Sequence, residues 1–201
     1  MTAAATARLR VRTSPLDQQA FPFRQAGLTV GLRKPDLLEL RGRPHTIGLR
    51  FRVQRMLLAR IRQLQVTITV PVTSGSDAPC SLRLEVFGSR ERTYRWKVSG
   101  LGAERLASWL RGAALDQLVH TVDLTACTAT WCPRQRHWRV CVEPYAGSHL
   151  RVFFPPINYS TTLGSNEAAT IVAALDEVAG ILASPTDRST AKESSHEPPH
   201  P

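Results

Sequence analysis

Apolar and polar residues alternate with a period of two through much of the chain between residues 28 and 154. Successive side chains of a β-strand point to opposite faces, so this period predicts half-buried strands. Turn residues separate several of these runs in pairs, which is typical of β-hairpins. The sequence therefore predicts hairpins over residues 28–40, 82–98 and 124–143 and further strands over residues 49–53, 66–72 and 150–154.

Three segments depart from this alternation. Residues 166–182 carry one apolar stripe at helical spacing after Ser165, a favourable N-cap residue. Residues 103–119 form a second predicted helix, which Gly112 can divide because glycine costs about 1 kcal/mol relative to alanine within a helix. Residues 54–64 also change period, and we predict a short helix there, with a long bent strand as the alternative.

This order of elements predicts an α+β fold, in which an antiparallel sheet built from hairpins carries two main helices, residues 103–119 and 166–182, on one face. A chain of 201 residues with 42% apolar composition can bury a single core. We expect one domain over residues 21–183. Residues 1–20 are predicted to form a basic, partly flexible extended arm. Residues 184–201 lack large apolar side chains and are predicted to form a disordered tail.

Positive charge is concentrated in the first third of the chain. Residues 1–62 contain 13 Lys and Arg against 3 Asp and Glu, whereas residues 63–201 contain 13 of each, so the net charge of +10 arises near the N-terminus. No acidic residue interrupts residues 41–62. A GC-rich coding background would explain the preference for arginine over lysine, but it would not explain the missing acids. The predicted binding residues are Arg41, Arg43, Arg50, Arg52, Arg55, Arg60 and Arg62.

An arginine cluster attracts anionic partners and binds carboxylate or phosphate through its planar guanidinium groups. The first hypothesis is a non-enzymatic interaction module that binds an acidic protein surface through residues 41–62. The alternative is a nucleic-acid-binding protein that uses the same surface for phosphate contacts. The first is favoured because the rest of the chain is neutral, and because its tryptophans are predicted to lie on the apolar side of their strands instead of forming a stacking platform.

The third hypothesis is an enzyme with a site near Cys141, Glu143 and His149. Activation of a cysteine nucleophile requires a base within reach, and nothing in this spacing brings His149 to the thiol. No glycine-rich phosphate loop or nucleophile elbow is found. Enzymatic activity is therefore the least favoured of the three classes, and no cofactor is predicted.

The spacing of Cys127, Cys132, His137 and Cys141 superficially resembles a zinc knuckle. In the predicted hairpin, however, Trp131 faces Trp138, which places Cys127 and Cys141 on opposite sides of the sheet. We therefore predict no metal site. Four singly placed cysteines and no long apolar run favour a soluble protein of a reducing compartment, the cytoplasm by default. The basic first 16 residues leave a targeting segment as an open alternative.

Residues 142–163 read VEPYAGSHLRVFFPPINYSTTL and precede the amphipathic helix. This order of a strand, a small-residue loop, a second strand, a proline-bounded extended piece and a final helix resembles the C-terminal half of a bacterial family of proteins of unknown function. The similarity covers residues 49–51 and 142–182. It implies no activity.

Overall fold

The computed structural model describes residues 14–42, 44–73, 77–89, 91–100 and 102–184. Within these ranges the protein has a large antiparallel sheet and four α-helices, which confirms the α+β class. The strands are β1 (Thr29–Arg33), β2 (Leu37–Arg41), β3 (Thr46–Arg55), β4 (Ala59–Pro71), β5 (Cys80–Phe87), β6 (Thr93–Ser99), β7 (Leu124–Cys132), β8 (His137–Pro144), β9 (His149–Val152) and β10 (Ile157–Ser160). The helices are α1 (Pro15–Gln25), α2 (Ala103–Trp109), α3 (Ala113–Thr121) and α4 (Ser165–Ala183).

The sheet runs in the order β1-β2-β3-β4-β8-β7-β5-β6, and every pairing in it is antiparallel. The long strand β4 has two partners on the same edge. Residues 66–71 of β4 pair with β8, whereas residues 59–62 pair with β9, which in turn pairs with β10. As a result, the hairpin β9–β10 lies next to the turn between β3 and β4.

All three predicted hairpins are present. Trp131 lies opposite Trp138 in the β7–β8 ladder, with their ring centroids 5.6 Å apart. The same register places Cys127 opposite Val142 and Thr128 opposite Cys141. This is the predicted register, and it places the side chains of Cys127 and Cys141 on opposite faces of the sheet.

Alternation along the strands gives the sheet two different faces. The face that carries Leu49, Val66 and Val140 is buried in one apolar cluster with side chains of α1, α3 and α4, and we call it the helix face. The opposite face, which we call the open face, carries Arg50, Gln65 and other polar residues. The core therefore lies between the helix face and the helices.

Helix α1 was not predicted, since residues 1–20 were expected to be extended. The Ser14 side chain accepts a hydrogen bond from the Asp17 N–H at 3.2 Å, and the Asp17 carboxylate accepts one from the Ser14 N–H at 3.3 Å. This reciprocal capping, with Pro15 in the first turn, starts the helix. Phe23 is fully buried and anchors α1 in the core. Residues 1–13 and 185–201, which include nearly all of the predicted tail, lie outside the described ranges.

The short helix predicted over residues 54–64 is wrong. Strands β3 and β4 form a continuous ladder from Ile47 opposite Ile68 to Arg55 opposite Arg60, so the extended alternative is correct. The chain reverses between them in a turn that the Met56 N–H closes by a 2.8 Å hydrogen bond to the Ala59 carbonyl. Pairing with both β3 and β9 outweighs the weak helical spacing of the apolar residues in this segment.

Two further boundaries differ from the prediction. The segment over residues 103–119 is divided into α2 and α3 just before Gly112, as its glycine allowed, so two main helices become four with α1. The strand expected over residues 150–154 ends at Val152. Its proline pair lies in the turn of the hairpin β9–β10, and the chain returns through a strand that was not predicted.

Candidate functional site

The structure distributes the predicted arginines over separate places. Arg41 ends β2 and pairs with Thr46 at the start of β3. Arg55 lies nine positions after Thr46 along β3, a distance of about 30 Å at the rise of a β-strand. Arg43 lies outside the described residues. Arg41 is therefore remote from the arginines at the β3–β4 turn.

Arg50 and Arg52 lie on the open face, within a network of polar side chains. Arg50 Nε donates to Gln65 Oε1 at 2.6 Å, and Gln65 Nε2 donates to Glu143 Oε1 at 2.5 Å. Arg52 forms an ion pair of 3.6 Å with the same carboxylate oxygen. Glu143 and Gln65 are both buried. One buried carboxylate thus balances part of the charge of these two arginines, which gives them a structural role.

Arg55, Arg60 and Arg62 lie on the helix face, because Arg55 faces Arg60 and Val53 faces Arg62 in the ladder. Strand β9 adds two more basic residues there, since Arg60 pairs with Arg151 and Arg62 with His149. Within the described part of the chain, ion pairs involve other arginines, namely Arg33, Arg52, Arg92 and Arg95. The helix-face arginines accordingly have no carboxylate partner among the described residues.

Several of these side chains line a pocket of about 340 Å³, which we call the basic pocket. Its wall consists of residues from β4, β9 and β10, the turn residue Phe153 and the first residue of α1. Arg60 Nε and His149 Nε2 are buried and have no hydrogen-bond partner among the described residues. The other ring nitrogen, His149 Nδ1, lies 2.7 Å from Ser160 Oγ. The pocket thus combines positive charge with two unused nitrogen atoms.

The environment of His149 disfavours its protonated form. Burial lowers the pKa of His149 below its ordinary value, and the positive charge of Arg62 lowers that pKa further. The ring also packs edge-on against Phe51, with centroids 5.3 Å apart. His149 is therefore held in place by packing and by Ser160.

An exposed apolar tip adjoins the basic pocket. It consists of Met56, Leu57 and Leu58 in the β3–β4 turn and Phe153 and Phe154 in the β9–β10 turn. Leu57 is 95% exposed and Phe154 is 77% exposed. The Phe153 N–H donates a 2.8 Å hydrogen bond to the Leu58 carbonyl, so the two turns are joined. The Arg151 guanidinium lies 5.6 Å from the Phe153 ring centroid, which links the tip to the arginines.

Cys141, Glu143 and His149 do not form a common site. Cys141 and Glu143 lie on the open face of β8, whereas His149 pairs with Arg62 and lies on the helix face. Burial, and next the negative charge of Glu143, raise the pKa of Cys141 to about 11. A thiol in this environment is largely protonated at neutral pH and is a poor nucleophile.

The cysteines and the histidine whose spacing resembles a zinc knuckle do not meet at one point in the structure either. Cys127 is fully enclosed on the helix face, and burial raises the pKa of its thiol to about 12. Among the residues described by the structure, no group of three or more His, Cys, Asp and Glu side chains is arranged to hold a metal ion. No described helix is both long and apolar enough to cross a bilayer.

Residues outside the predicted arginine cluster complete the basic pocket. Arg151 and Ser160 lie outside residues 41–62, the segment whose charge pattern predicted the binding residues. A signal was available, since residues 144–166 also contain no Asp or Glu. The strand pairing brings these two acid-free segments together.

Residues 24–182 of the chain match a family model, which is described as "Protein of unknown function (DUF3156)". The chain therefore belongs to this family. The match agrees with the predicted resemblance to a family of unknown function, but it extends far beyond a C-terminal half. No curated protein and no solved structure matches the chain.

Proposed function

We propose that this protein is a non-enzymatic interaction module that binds an acidic protein surface through the apolar tip and the arginines beside it. The observation that supports this proposal most is the position of Leu57, which is 95% exposed next to arginines without described carboxylate partners. The proposal keeps Arg55, Arg60 and Arg62 as binding residues. It gives Arg50 and Arg52 a supporting role through Glu143.

Exposed apolar patches with polar or charged rims are typical of protein-binding surfaces. The apolar tip offers large side chains at the end of two joined hairpins, where a partner can surround them. Arginine and aromatic residues are enriched among the residues that contribute most to binding energy. Phe153, stacked beneath Arg151, combines both kinds of group.

The charge around the tip favours an acidic partner. The acid-free segments 41–62 and 144–166 meet here, so an approaching carboxylate meets few like charges. Arginine binds carboxylates through two parallel N–H···O bonds, which adds directional specificity to the attraction. An acidic surface with an apolar depression would match both features of the tip.

Nucleic acid is the second candidate partner, and one observation favours it. Phe153 is about half exposed beside Arg151, and single-strand binders combine aromatic side chains with basic residues in this way. The apolar tip argues for protein, because a phosphate backbone offers no counterpart to Leu57 and Met56. Among the arginines that the structure describes, the division between two faces also leaves no continuous stripe for a duplex.

Site-specific photocrosslinking in cells tests this proposal. A photoreactive amino acid replaces Leu57, and the crosslinked products are analysed by mass spectrometry with and without nuclease treatment. We expect a discrete protein adduct in which the crosslinked surface is acidic. We expect double reversal of Arg55 and Arg60 to Glu to abolish this adduct. The matched control is Arg83→Glu, which reverses an exposed arginine on the distant strand β5.

Three outcomes would contradict the proposal. A nuclease-sensitive adduct would identify nucleic acid as the partner. An adduct formed mainly with lipid would indicate a membrane surface. A protein adduct that persists equally in the double variant and in Arg83→Glu would show that the arginines do not contribute to binding.

A further inference from the structure

The basic pocket has features of a site for a small anion. It is lined by the side chains of Arg60, Arg62, Arg151 and His149, and its lining among the described residues includes no carboxylate. Its volume of about 340 Å³ lies within the range of small-molecule sites. Like charges crowded in this way repel one another, and a bound anion would relieve that repulsion.

The pocket also contains hydrogen-bonding capacity that the protein does not use. Arg60 Nε always carries a proton, and it is buried without a partner among the described residues. His149 Nε2 is likewise buried without a partner among the described residues, while its Nδ1 lies 2.7 Å from Ser160 Oγ. A buried donor without an acceptor costs about 1–3 kcal/mol. Anionic oxygen atoms would supply the missing acceptors.

The strand pairing determines which groups can act together. Arg62 faces His149, and Arg60 faces Arg151, in two pairs of the β4–β9 ladder that the pair of Ile61 and Leu150 separates. These pairs lie on one face of the sheet, about 7 Å apart along the strands at the rise of a β-strand. All four residues line the same pocket.

We propose that the basic pocket binds the phosphate group of a soluble phosphate monoester, with the organic part of the ester against Phe153. Three guanidinium groups suit a dianion better than a single carboxylate, and arginine pairs with phosphate through bidentate bonds. Phe153 lines the same pocket, beneath the Arg151 guanidinium, and offers an apolar and aromatic wall. This assignment does not depend on the proposed protein partner.

Calorimetric titration of the purified full chain in a phosphate-free buffer tests this assignment. The probes are phenyl phosphate, inorganic phosphate, phenol and vesicles containing phosphatidic acid. We expect phenyl phosphate to bind more tightly than inorganic phosphate, because only the ester contacts the aromatic wall. We expect no measurable binding of phenol, which lacks the anion.

Variants locate the bound phosphate. Arg62→Gln should weaken phenyl phosphate binding about tenfold or more, the effect of losing one charge-assisted hydrogen bond. Arg83→Gln on β5 should leave the affinity unchanged. A second measurement needs no variant, since phenyl phosphate should shift the NMR signals of the His149 ring in the unaltered chain.

Each of the following results would contradict a particular part of the assignment. Lack of phenyl phosphate binding, or binding that leaves the His149 signals and the Arg62→Gln affinity unaffected, would overturn the assignment. Equal affinity for inorganic phosphate would overturn the role of the aromatic wall. Binding confined to vesicles containing phosphatidic acid would show that the phosphate source is a lipid and would overturn a soluble ester. Because this assay contains no protein partner, its failure is distinct from failure of the crosslinking experiment.

Discussion

Arg62 lies directly opposite His149 in the β4–β9 ladder, on the same face of the sheet. The pairing places a permanent positive charge beside an imidazole that is already partly buried. Both effects act in one direction and lower the pKa of His149. This relationship connects the predicted arginine cluster with a strand almost ninety residues further along the chain.

Replacement of Arg62 by Gln should raise the pKa of His149 towards its ordinary value near 6.5, because the nearby positive charge is removed. NMR titration of the histidine ring would measure this change. Arg50→Gln is the matched control, since Arg50 lies on the opposite face. An unchanged His149 pKa in Arg62→Gln would show that burial alone lowers it.

The same lowered pKa has a consequence for stability. His149 binds a proton less readily in the folded than in the unfolded chain, so unfolding is favoured as the pH falls below about 6.5. The variant His149→Gln should lose less stability than the unaltered chain between pH 7 and pH 5, as measured by urea unfolding. Parallel pH profiles for the two proteins would contradict this expectation.

The arginines on the two faces should respond differently to charge reversal. Arg50→Glu places a carboxylate against Gln65 Oε1 and near Glu143, and it should cost about 1–3 kcal/mol of unfolding free energy. Arg55→Glu alters an exposed side chain at the tip and should change stability by less than about 0.5 kcal/mol. Chemical denaturation would measure both values. Equal effects would argue against a structural role for Arg50.

Gly147 occupies the connection between β8 and β9, with a φ of 83°. A Cβ atom there would lie 2.7 Å from Leu64 Cδ2 and 2.9 Å from Gln19 Oε1. We expect Gly147→Ala to destabilise the protein by more than about 1 kcal/mol, through backbone strain and overpacking. Gly180→Ala is the control, because Gly180 lies in α4 with open space around it, and that substitution should be stabilising. A destabilising Gly180→Ala would invalidate the comparison.

The start of α1 should depend on Ser14. Removing its hydroxyl in Ser14→Ala deprives the Asp17 N–H of its acceptor and should cost about 1 kcal/mol. Ser14→Asp retains an acceptor and should preserve the stability. Thermal unfolding would detect the difference. Identical melting curves for the alanine variant and the unaltered chain would show that the cap contributes nothing.

Cys141 should react slowly with alkylating reagents in the folded protein. The pKa of its thiol rises from 9.0 to about 11, which lowers the thiolate fraction at pH 8 about 100-fold. Mass spectrometry after iodoacetamide treatment should show modification of Cys141 only in the urea-unfolded chain. Rapid modification of folded Cys141 would revive it as a candidate nucleophile.

The sequence by itself determined the features that depend on neighbouring residues. Alternation and turn residues predicted all three hairpins, and the tryptophan register correctly separated Cys127 from Cys141. The helix α4 followed from one apolar stripe. These features could be predicted because each is encoded within about twenty consecutive residues. The capping pair Ser14 and Asp17 was equally local and was overlooked.

Only the tertiary structure decided which arginines lie close together. The β3–β4 register pairs Arg50 with Gln65 and Arg55 with Arg60. Because side chains alternate along each strand, this register places Arg60 on the face opposite to Arg50. A turn longer by one residue would reverse that arrangement, because strand side chains alternate. The pairing of β9 with β4 then adds Arg151 and His149. Such contacts between distant segments depend on the packing of the whole sheet, so the local charge pattern predicted an attractive surface but not its geometry.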